Sequence, residues 1–137
     1  MNNIAKIISI FGGAKGIYAS VENPPYMRLV IEDIGQGPRG HQAISVAHYF
    51  EQNGDLCQDP EMTFELIPEG ANVRYEPLSF QQALPPVYQE VFATGSENLR
   101  LKHQLTAFAL TWDRNIGLQS FVSAAALQQA KPAETQA

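Results

Sequence analysis

Apolar and polar side chains alternate along the middle of this chain, and short runs rich in Gly, Pro, Asn and Asp interrupt the alternation. A period of two is typical of β-strands that bury one face. Because the interruptions are short, we expect consecutive strands to pair as an antiparallel meander. The predicted strands cover residues 16–22, 26–34, 41–53, 61–67 and 73–80.

Proline affects the prediction for three segments of the chain. Pro77 confines the strand at 73–80 to an edge or a bulge, because proline cannot donate to the hydrogen-bond ladder. Residues 81–93 fit either a helix or a sixth strand, and the run VYQEVF favours the strand. The run GDLCQDP at 54–60 is rich in turn-forming residues and is predicted to be a connection.

Apolar residues recur with helical spacing at the start of the chain. A short amphipathic helix is predicted over residues 2–11, with Asn2 or Asn3 as its cap and two glycines as its end. Its apolar face must pack on another part of the molecule. That face is formed by Ile4, Ile7, Ile8 and Phe11.

The second helical pattern is longer and lies near the end of the chain. It predicts a helix over residues 96–117, with Ser96 as N-cap and Trp112 as a core anchor whose indole N–H needs a partner. A further short helix is expected after it. The chain is therefore predicted to be a single α+β domain over 1–130, with five or six antiparallel strands, helices on one face, and a polar tail at 131–137.

Composition restricts the classes of function. The 137 residues carry a net charge of −5 with scattered basic residues, which argues against direct binding to a nucleic-acid backbone. One cysteine excludes an intramolecular disulfide. No apolar run approaches the roughly 18 residues of a membrane span, and no signal-peptide pattern is present, so we expect a cytoplasmic protein without membrane contact.

The run HYFEQNGDLCQDPEM, residues 48–62, holds the densest group of reactive and charged side chains. Asn53-Gly54 is a strong turn signal, and the turn is predicted to continue to Pro60. Acids at a turn commonly bond their own backbone; the alternative is a site for a polar ligand or protein partner. The candidate binding residues are His48, Tyr49, Glu51, Asn53, Asp55, Asp59 and Glu61.

A more specific alternative for this run is a divalent-cation site, because hard cations prefer oxygen ligands. Its ligands would be Glu51, Asp55 and Asp59, with His48. The spacing does not match the calcium-loop pattern, so no metal and no cofactor are expected. His48 shares the core-facing phase of the strand, which favours a hydrogen-bonded core histidine. Tyr49 would form a partner-binding patch with Tyr75 if both lie on the exposed face.

Four runs of the chain resemble a known family. The resemblance covers roughly residues 17–121, and it rests most on His48–Asp55, Asp59–Met62 and Trp112–Ile116. The family is an uncharacterised small domain carried by plasmids, phages and integrated mobile elements. The resemblance implies a genomic setting beside anti-restriction and DNA-processing proteins, and it transfers no catalytic residue. The runs are ISVAHYFEQNGDLCQDPEMTFEL, YEPLSFQQ, VYQEVF and FALTWDRNIGLQSF.

The expected function is a non-enzymatic binding module of a mobile genetic element, acting through its sheet face or the run at 53–61. By analogy, the expected partner is another protein, from host defence or DNA processing. One alternative is a metal-dependent hydrolase or nuclease accessory that uses the acidic run. The other is an acidic DNA mimic. An edge strand would also permit a homodimer.

Overall fold

The computed structural model describes residues 1–130, and for Gln52 the backbone alone. It confirms the α+β class: six antiparallel strands pair in the order of the chain, between one N-terminal and two C-terminal helices. The predicted tail at 131–137 lies outside the described residues. The elements are α1 (Asn2–Ile10), β1 (Tyr18–Asn23), β2 (Tyr26–Gln36), β3 (Gln42–Gln52), β4 (Asp55–Glu69), β5 (Asn72–Gln82), β6 (Val87–Glu90), α2 (Leu99–Leu118) and α3 (Phe121–Ala130).

The hydrophobic core lies between one face of the sheet and the three helices. The strands contribute alternate side chains, among them the fully buried Ile31, Ile44 and Phe64. Because α1 packs against both α2 and α3, the helices close over this face together. Of the predicted apolar face of α1, Ile4, Ile7 and Ile8 are buried, which confirms the amphipathic pattern, while Phe11 follows the end of the helix and is half-buried against the core.

The first turn of α1 is capped from another helix. Asp113 of α2 accepts hydrogen bonds from the backbone N–H of Ile4 at 2.8 Å and of Asn3 at 3.3 Å. Neither Asn2 nor Asn3 is the cap, so that prediction is wrong; Met1 occupies the position and no side chain of α1 caps it. A buried carboxylate thus satisfies N–H groups that have no partner within their own helix.

Strand pairing is irregular at Pro77, as expected for a residue that has no backbone N–H to donate. Pro77 lies beside an irregularity in the pairing of β4 with β5, where Thr63 pairs with Ser79 and Phe64 with Pro77. The strand is internal, so the bulge alternative is the one confirmed. The sixth strand at Val87–Glu90 also confirms the choice of strand over helix for that segment.

The predicted connection at 54–60 is wrong. Asn53 and Gly54 form the whole turn, with φ of 54° and 84°, as expected for a two-residue hairpin whose central residues both have positive φ. β4 begins immediately afterwards, at Asp55. The turn-forming composition of this run is overridden because each residue from Asp55 to Gln58 has a partner in β3.

The long helix begins later than predicted. Asn98 is its N-cap, and the Asn98 side chain accepts a hydrogen bond from the N–H of Leu101 at 3.0 Å. Ser96 therefore lies outside α2. Glu97, between them, is bound instead to Arg39 and to Lys102, whose Nζ lies 3.2 Å from the carboxylate.

A buried carboxylate fixes the loop between β2 and β3. Glu65 is fully buried, and it accepts the backbone N–H groups of Arg39 at 2.9 Å and His41 at 3.0 Å, together with the Arg39 guanidinium at 2.9 Å. Gly37 packs directly on it: a Cβ there would lie 2.6 Å from the Glu65 side chain. The loop therefore folds over one end of the sheet and encloses the charge.

Candidate functional site

The β3–β4 hairpin divides the predicted site residues between the two faces of the sheet. Paired residues share a face, and Tyr49 pairs with Gln58 while Ala47 pairs with Glu61. Tyr49 and Glu61 therefore lie on the face opposite the helices, and Glu51 lies on it as well by alternation. His48 lies on the helix side and is buried.

A β-bulge separates the acids of this run. Asp59 and Pro60 together lie opposite His48, so β4 has two residues where β3 has one. The bulge shifts the alternation of β4, and Asp59 reaches the helix side beside His48. Asp55 is exposed at the tip of the hairpin, on the face opposite Glu51, and Asn53 lies in the turn.

Glu51, Asp55 and Asp59 thus do not converge as the cation-site hypothesis requires. Within residues 1–130, no three His, Cys, Asp or Glu side chains lie close enough together to hold a metal ion.

The side of the sheet turned away from the helices, hereafter the open face, is rich in tyrosine and carboxylate. Tyr18 and Tyr88 are about 60% exposed, and Tyr49 lies half-buried between them in strand order. Ser45, Thr63 and Ser79 form a hydroxyl row across the middle strands. Apart from the end of the sheet where Glu65, Glu76 and Arg74 form ion pairs, the open face comprises Tyr18, Ser20, Glu22, Arg28, Val30, Glu32, Ser45, Ala47, Tyr49, Glu51, Leu56, Gln58, Glu61, Thr63, Ser79, Gln81, Tyr88 and Glu90.

The charge of the open face is strongly one-sided. Among its members just named, five are carboxylates and one is a guanidinium, that of Arg28. Arg28 lies 5.6 Å from the centre of the Tyr49 ring and 3.9 Å from Glu22. Burial raises the pKa of Tyr49, and the neighbouring carboxylates of Glu61 and Glu32 raise it further. The open face is therefore electronegative around a neutral phenol.

Hydrogen bonds order the centre of the open face. Ser45 donates to Glu61 at 2.6 Å, and the hydroxyls of Thr63 and Ser79 lie 2.5 Å apart. At the β6 side, a shallow depression of about 370 Å³ is lined by Ile34, Leu78, Tyr88, Phe92 and others. These features give the open face ordered polar groups with an apolar margin.

Tyr75 does not belong to this surface. It lies on the helix side, edge-on to Phe64 with ring centres 6.0 Å apart, and burial raises its pKa to about 12. The expectation that Tyr49 and Tyr75 could share an exposed face is therefore wrong. The bulge in β5 beside Pro77 reverses the alternation that would have placed Tyr75 with Ser79.

A small pocket lies on the other side of the hairpin. It has a volume of about 230 Å³ and is called here the His48 pocket. His48 Nδ1 lies 3.1 Å from the carbonyl oxygen of Met27; because a carbonyl can only accept, Nδ1 carries the proton. Its lining residues are Tyr26, Met27, His48, Asp59, Pro60, Trp112, Asn115 and Gln119.

Aromatic packing and burial define the state of His48. Its ring lies 5.6 Å from that of Trp112 and 5.4 Å from that of Phe121, centre to centre. Burial lowers the pKa of His48 below its ordinary value, although hydrogen bonds to Met27 and Arg28 and the charge of Asp59 oppose the shift. The core histidine predicted from strand phase is confirmed, and it is neutral at pH 7.

Trp112 is buried as predicted, with 6% of its surface exposed. Its indole N–H has no hydrogen-bond partner among the described residues, and it is closed to solvent. Asn115 and Gln119, from the end of the same helix, reach the pocket but were not identified from sequence. More than 50 residues separate them from Asp59, and neither lies in a recognisable sequence motif. A single sequence therefore gives no indication that these residues lie close to Asp59.

Comparisons with known proteins place the chain in a family without assigning a function. In the described part of the chain, residues 1–130, no helix combines the length and apolar character needed to cross a membrane. Neither the curated proteins nor the solved structures that were compared with it contain a match. The family model described as Domain of unknown function (DUF6908) matches residues 2–122, and the protein therefore belongs to that family.

Proposed function

We propose that the protein is a non-enzymatic binding module whose open face binds a basic surface of a partner protein. The observation that carries the proposal is the composition of that face outside its ion-paired end, with three tyrosines and five carboxylates against one guanidinium. Charge complementarity commits the occupant to a basic surface, since opposite potentials steer association and disfavour wrong partners.

The tyrosines supply the contact area. A tyrosine has only two side-chain torsions and an amphipathic ring, so it gives large contact at small entropic cost. Tyr18 and Tyr88 project from opposite ends of the strand order, with Tyr49 between them. The hydroxyl row of Ser45, Thr63 and Ser79 is already ordered by hydrogen bonds, which reduces the cost of immobilising these groups on binding.

The biological setting forms part of the proposal. The family match supports the resemblance to an uncharacterised domain, while the setting on plasmids, phages and other mobile elements comes from the resemblance alone. Host defence and DNA-processing proteins fit the chemistry of the open face, because proteins that bind nucleic acid present clustered Lys and Arg. An acidic face that occupies such a surface would act as a DNA mimic, which joins two of the functions expected from sequence.

Charge reversal tests which face binds. The protein would be immobilised and used to capture partners from an extract of its host, as wild type and as Glu32→Lys and Glu51→Lys variants. Asp55→Lys is the matched control, because Asp55 lies at the same end of the hairpin as Glu51 but on the opposite face. We expect a partner that wild type and the control retain, that both open-face variants lose, and that added salt releases.

Two results would count against the proposal. A partner captured equally by all four proteins would bind elsewhere. A partner lost only in the Asp55→Lys control would place the binding surface on the helix side of the hairpin.

A further inference from the structure

We infer that the His48 pocket binds a guanidinium group. The pocket has room for one such group, whether it belongs to a small organic cation or to an arginine side chain. The pocket lies on the helix side of the β3–β4 hairpin, whereas the open face is on the other side. The inference is therefore independent of the proposed function, and either can fail while the other stands.

The charge that lines the pocket favours a cation. Asp59 supplies a carboxylate, and among the described residues no lysine or arginine lines the pocket. Asn115 and Gln119 lie in the last turn and at the C-cap of α2, which has no basic residue in its last turn. The carbonyl groups of Asn115 and Gln119 already accept hydrogen bonds, from the N–H of Gln119 at 2.9 Å and from the Asn23 side chain at 2.7 Å, so the charge of the pocket is that of Asp59.

The imidazole of His48 carries no charge at neutral pH. Nδ1–H of His48 is committed to the Met27 carbonyl, so the other ring nitrogen of the neutral histidine bears a lone pair. Burial keeps the ring from taking a proton at neutral pH. A cation entering the pocket would therefore not meet a competing positive charge on the imidazole.

The aromatic walls favour a planar cation. Trp112 and Tyr26 both line the pocket, and a guanidinium is attracted to aromatic faces. Its flat fork of N–H donors also matches a carboxylate better than an ammonium does. The volume of about 230 Å³ is below that of ligand pockets for drug-sized molecules, which restricts the ligand to one small group.

Trp112 makes the test direct, because it is the one tryptophan of the chain. Its fluorescence and its indole N–H resonance would be followed while ethylguanidinium chloride is added at constant ionic strength. Ethylurea, nearly the same shape without the charge, is the ligand control. We expect a saturable change with ethylguanidinium, at millimolar concentration, and none with ethylurea.

Two carboxamide variants locate the binding. Asp59→Asn removes the charge that lines the pocket and should weaken binding about tenfold or more, as expected for loss of a charge-assisted hydrogen bond. Asp55→Asn makes the same change four residues earlier, at an exposed position outside the pocket, and should bind as wild type does. If Asp59→Asn fails to fold, the comparison of the two ligands on wild type decides the question.

A change that is linear in ligand, or equal for ethylguanidinium and ethylurea, would overturn the inference. So would equal affinity of wild type and a folded Asp59→Asn protein. Tighter binding of ethylammonium than of ethylguanidinium would overturn the assignment to a guanidinium.

Discussion

At the scale of single residues, Trp112 is deeply buried, and its indole N–H has no hydrogen-bond partner within residues 1–130. An unpaired buried N–H costs about 1–3 kcal/mol, and Trp112→Phe removes it while keeping an aromatic ring. The smaller ring leaves a void whose cost opposes this gain. We expect the free energy of unfolding to change by no more than about 1 kcal/mol, measured by urea unfolding with circular dichroism.

The matched control for that change is Phe64→Leu. It also shrinks a buried ring but removes no polar group, so it should destabilise the protein more than Trp112→Phe does. A larger loss for Trp112→Phe than for Phe64→Leu would show that the indole N–H has a partner in solution.

His48 gives the molecule a pH-dependent stability. Its pKa is lowered by burial, so below its ordinary value of 6.5 the unfolded state binds the proton first. The contribution of His48 is complete above pH 6.5, decreases as the pH falls below 6.5, and becomes constant below the pKa of the folded state. We expect His48→Gln to reduce the slope of unfolding free energy against pH just below 6.5.

His103→Gln is the control for this slope, because His103 is exposed on α2. It controls for the general effect of replacing a histidine by glutamine. An identical slope in wild type and His48→Gln would mean that His48 takes up a proton equally well in the folded and unfolded states.

At the scale of elements, α1 depends on a residue that is distant in sequence. Asp113 caps its first turn, so Asp113→Ala should cost about 1–2 kcal/mol of stability, the usual range for a lost cap. Asp113→Asn keeps an acceptor oxygen and should cost less. Urea unfolding measures both, and amide exchange at Ile4 should quicken most in the alanine variant.

The same outcome in both Asp113 variants would argue that charge, and not the acceptor, stabilises the helix start. Equal exchange at Ile4 in all three proteins would contradict the capping role itself.

The elements could be predicted where local pattern and tertiary structure agree. Strand alternation located β2 and β3 to within two residues, because each buries one face. The pattern failed at 55–60, where composition indicates a turn but pairing with β3 imposes a strand. It also failed at Ser96, because Asn98, two residues later, is an equally good capping residue and is the one that accepts the N–H of Leu101.

At the scale of the whole molecule, one core joins the three helices to strands β1–β4, and the half-buried Tyr75 and Phe80 of β5 pack against it. Buried side chains of α1, the sheet, α2 and α3 form a single cluster. We therefore expect one cooperative unfolding transition, with Trp112 fluorescence and far-ultraviolet circular dichroism giving the same midpoint. Two separated midpoints would show that the helices or the hairpin tip unfold independently.

The edges of the sheet are protected unequally. Gln128 of α3 donates to the carbonyl of Ser20 at 2.7 Å and so occupies an acceptor on the outer side of β1. At the other edge β6 is only four residues long and follows two prolines. Both devices limit strand-to-strand association between copies of the chain.

The order and pairing of the strands could be predicted from the sequence, whereas the His48 pocket and the enclosure of Glu65 could not. A meander joins neighbours along the chain, so short connections suffice to predict it. The His48 pocket joins the bulge of β4 to the end of α2, and the enclosure of Glu65 joins β4 to a loop more than 20 residues away. Contacts between such distant residues depend on how the helices and loops pack on the sheet, and the periodicity of a single segment does not predict that packing.

The bulge at Asp59-Pro60 also sets how the hairpin can vary in length. Its one extra residue reverses which face of the sheet successive side chains of β4 point to, between the tip of the hairpin and the core. Deleting one residue there would force a choice: either the tip turns over, or Met62 and Phe64 leave the core. Substitutions in this hairpin are therefore expected to be tolerated far better than single-residue insertions or deletions, which make its length the stricter constraint.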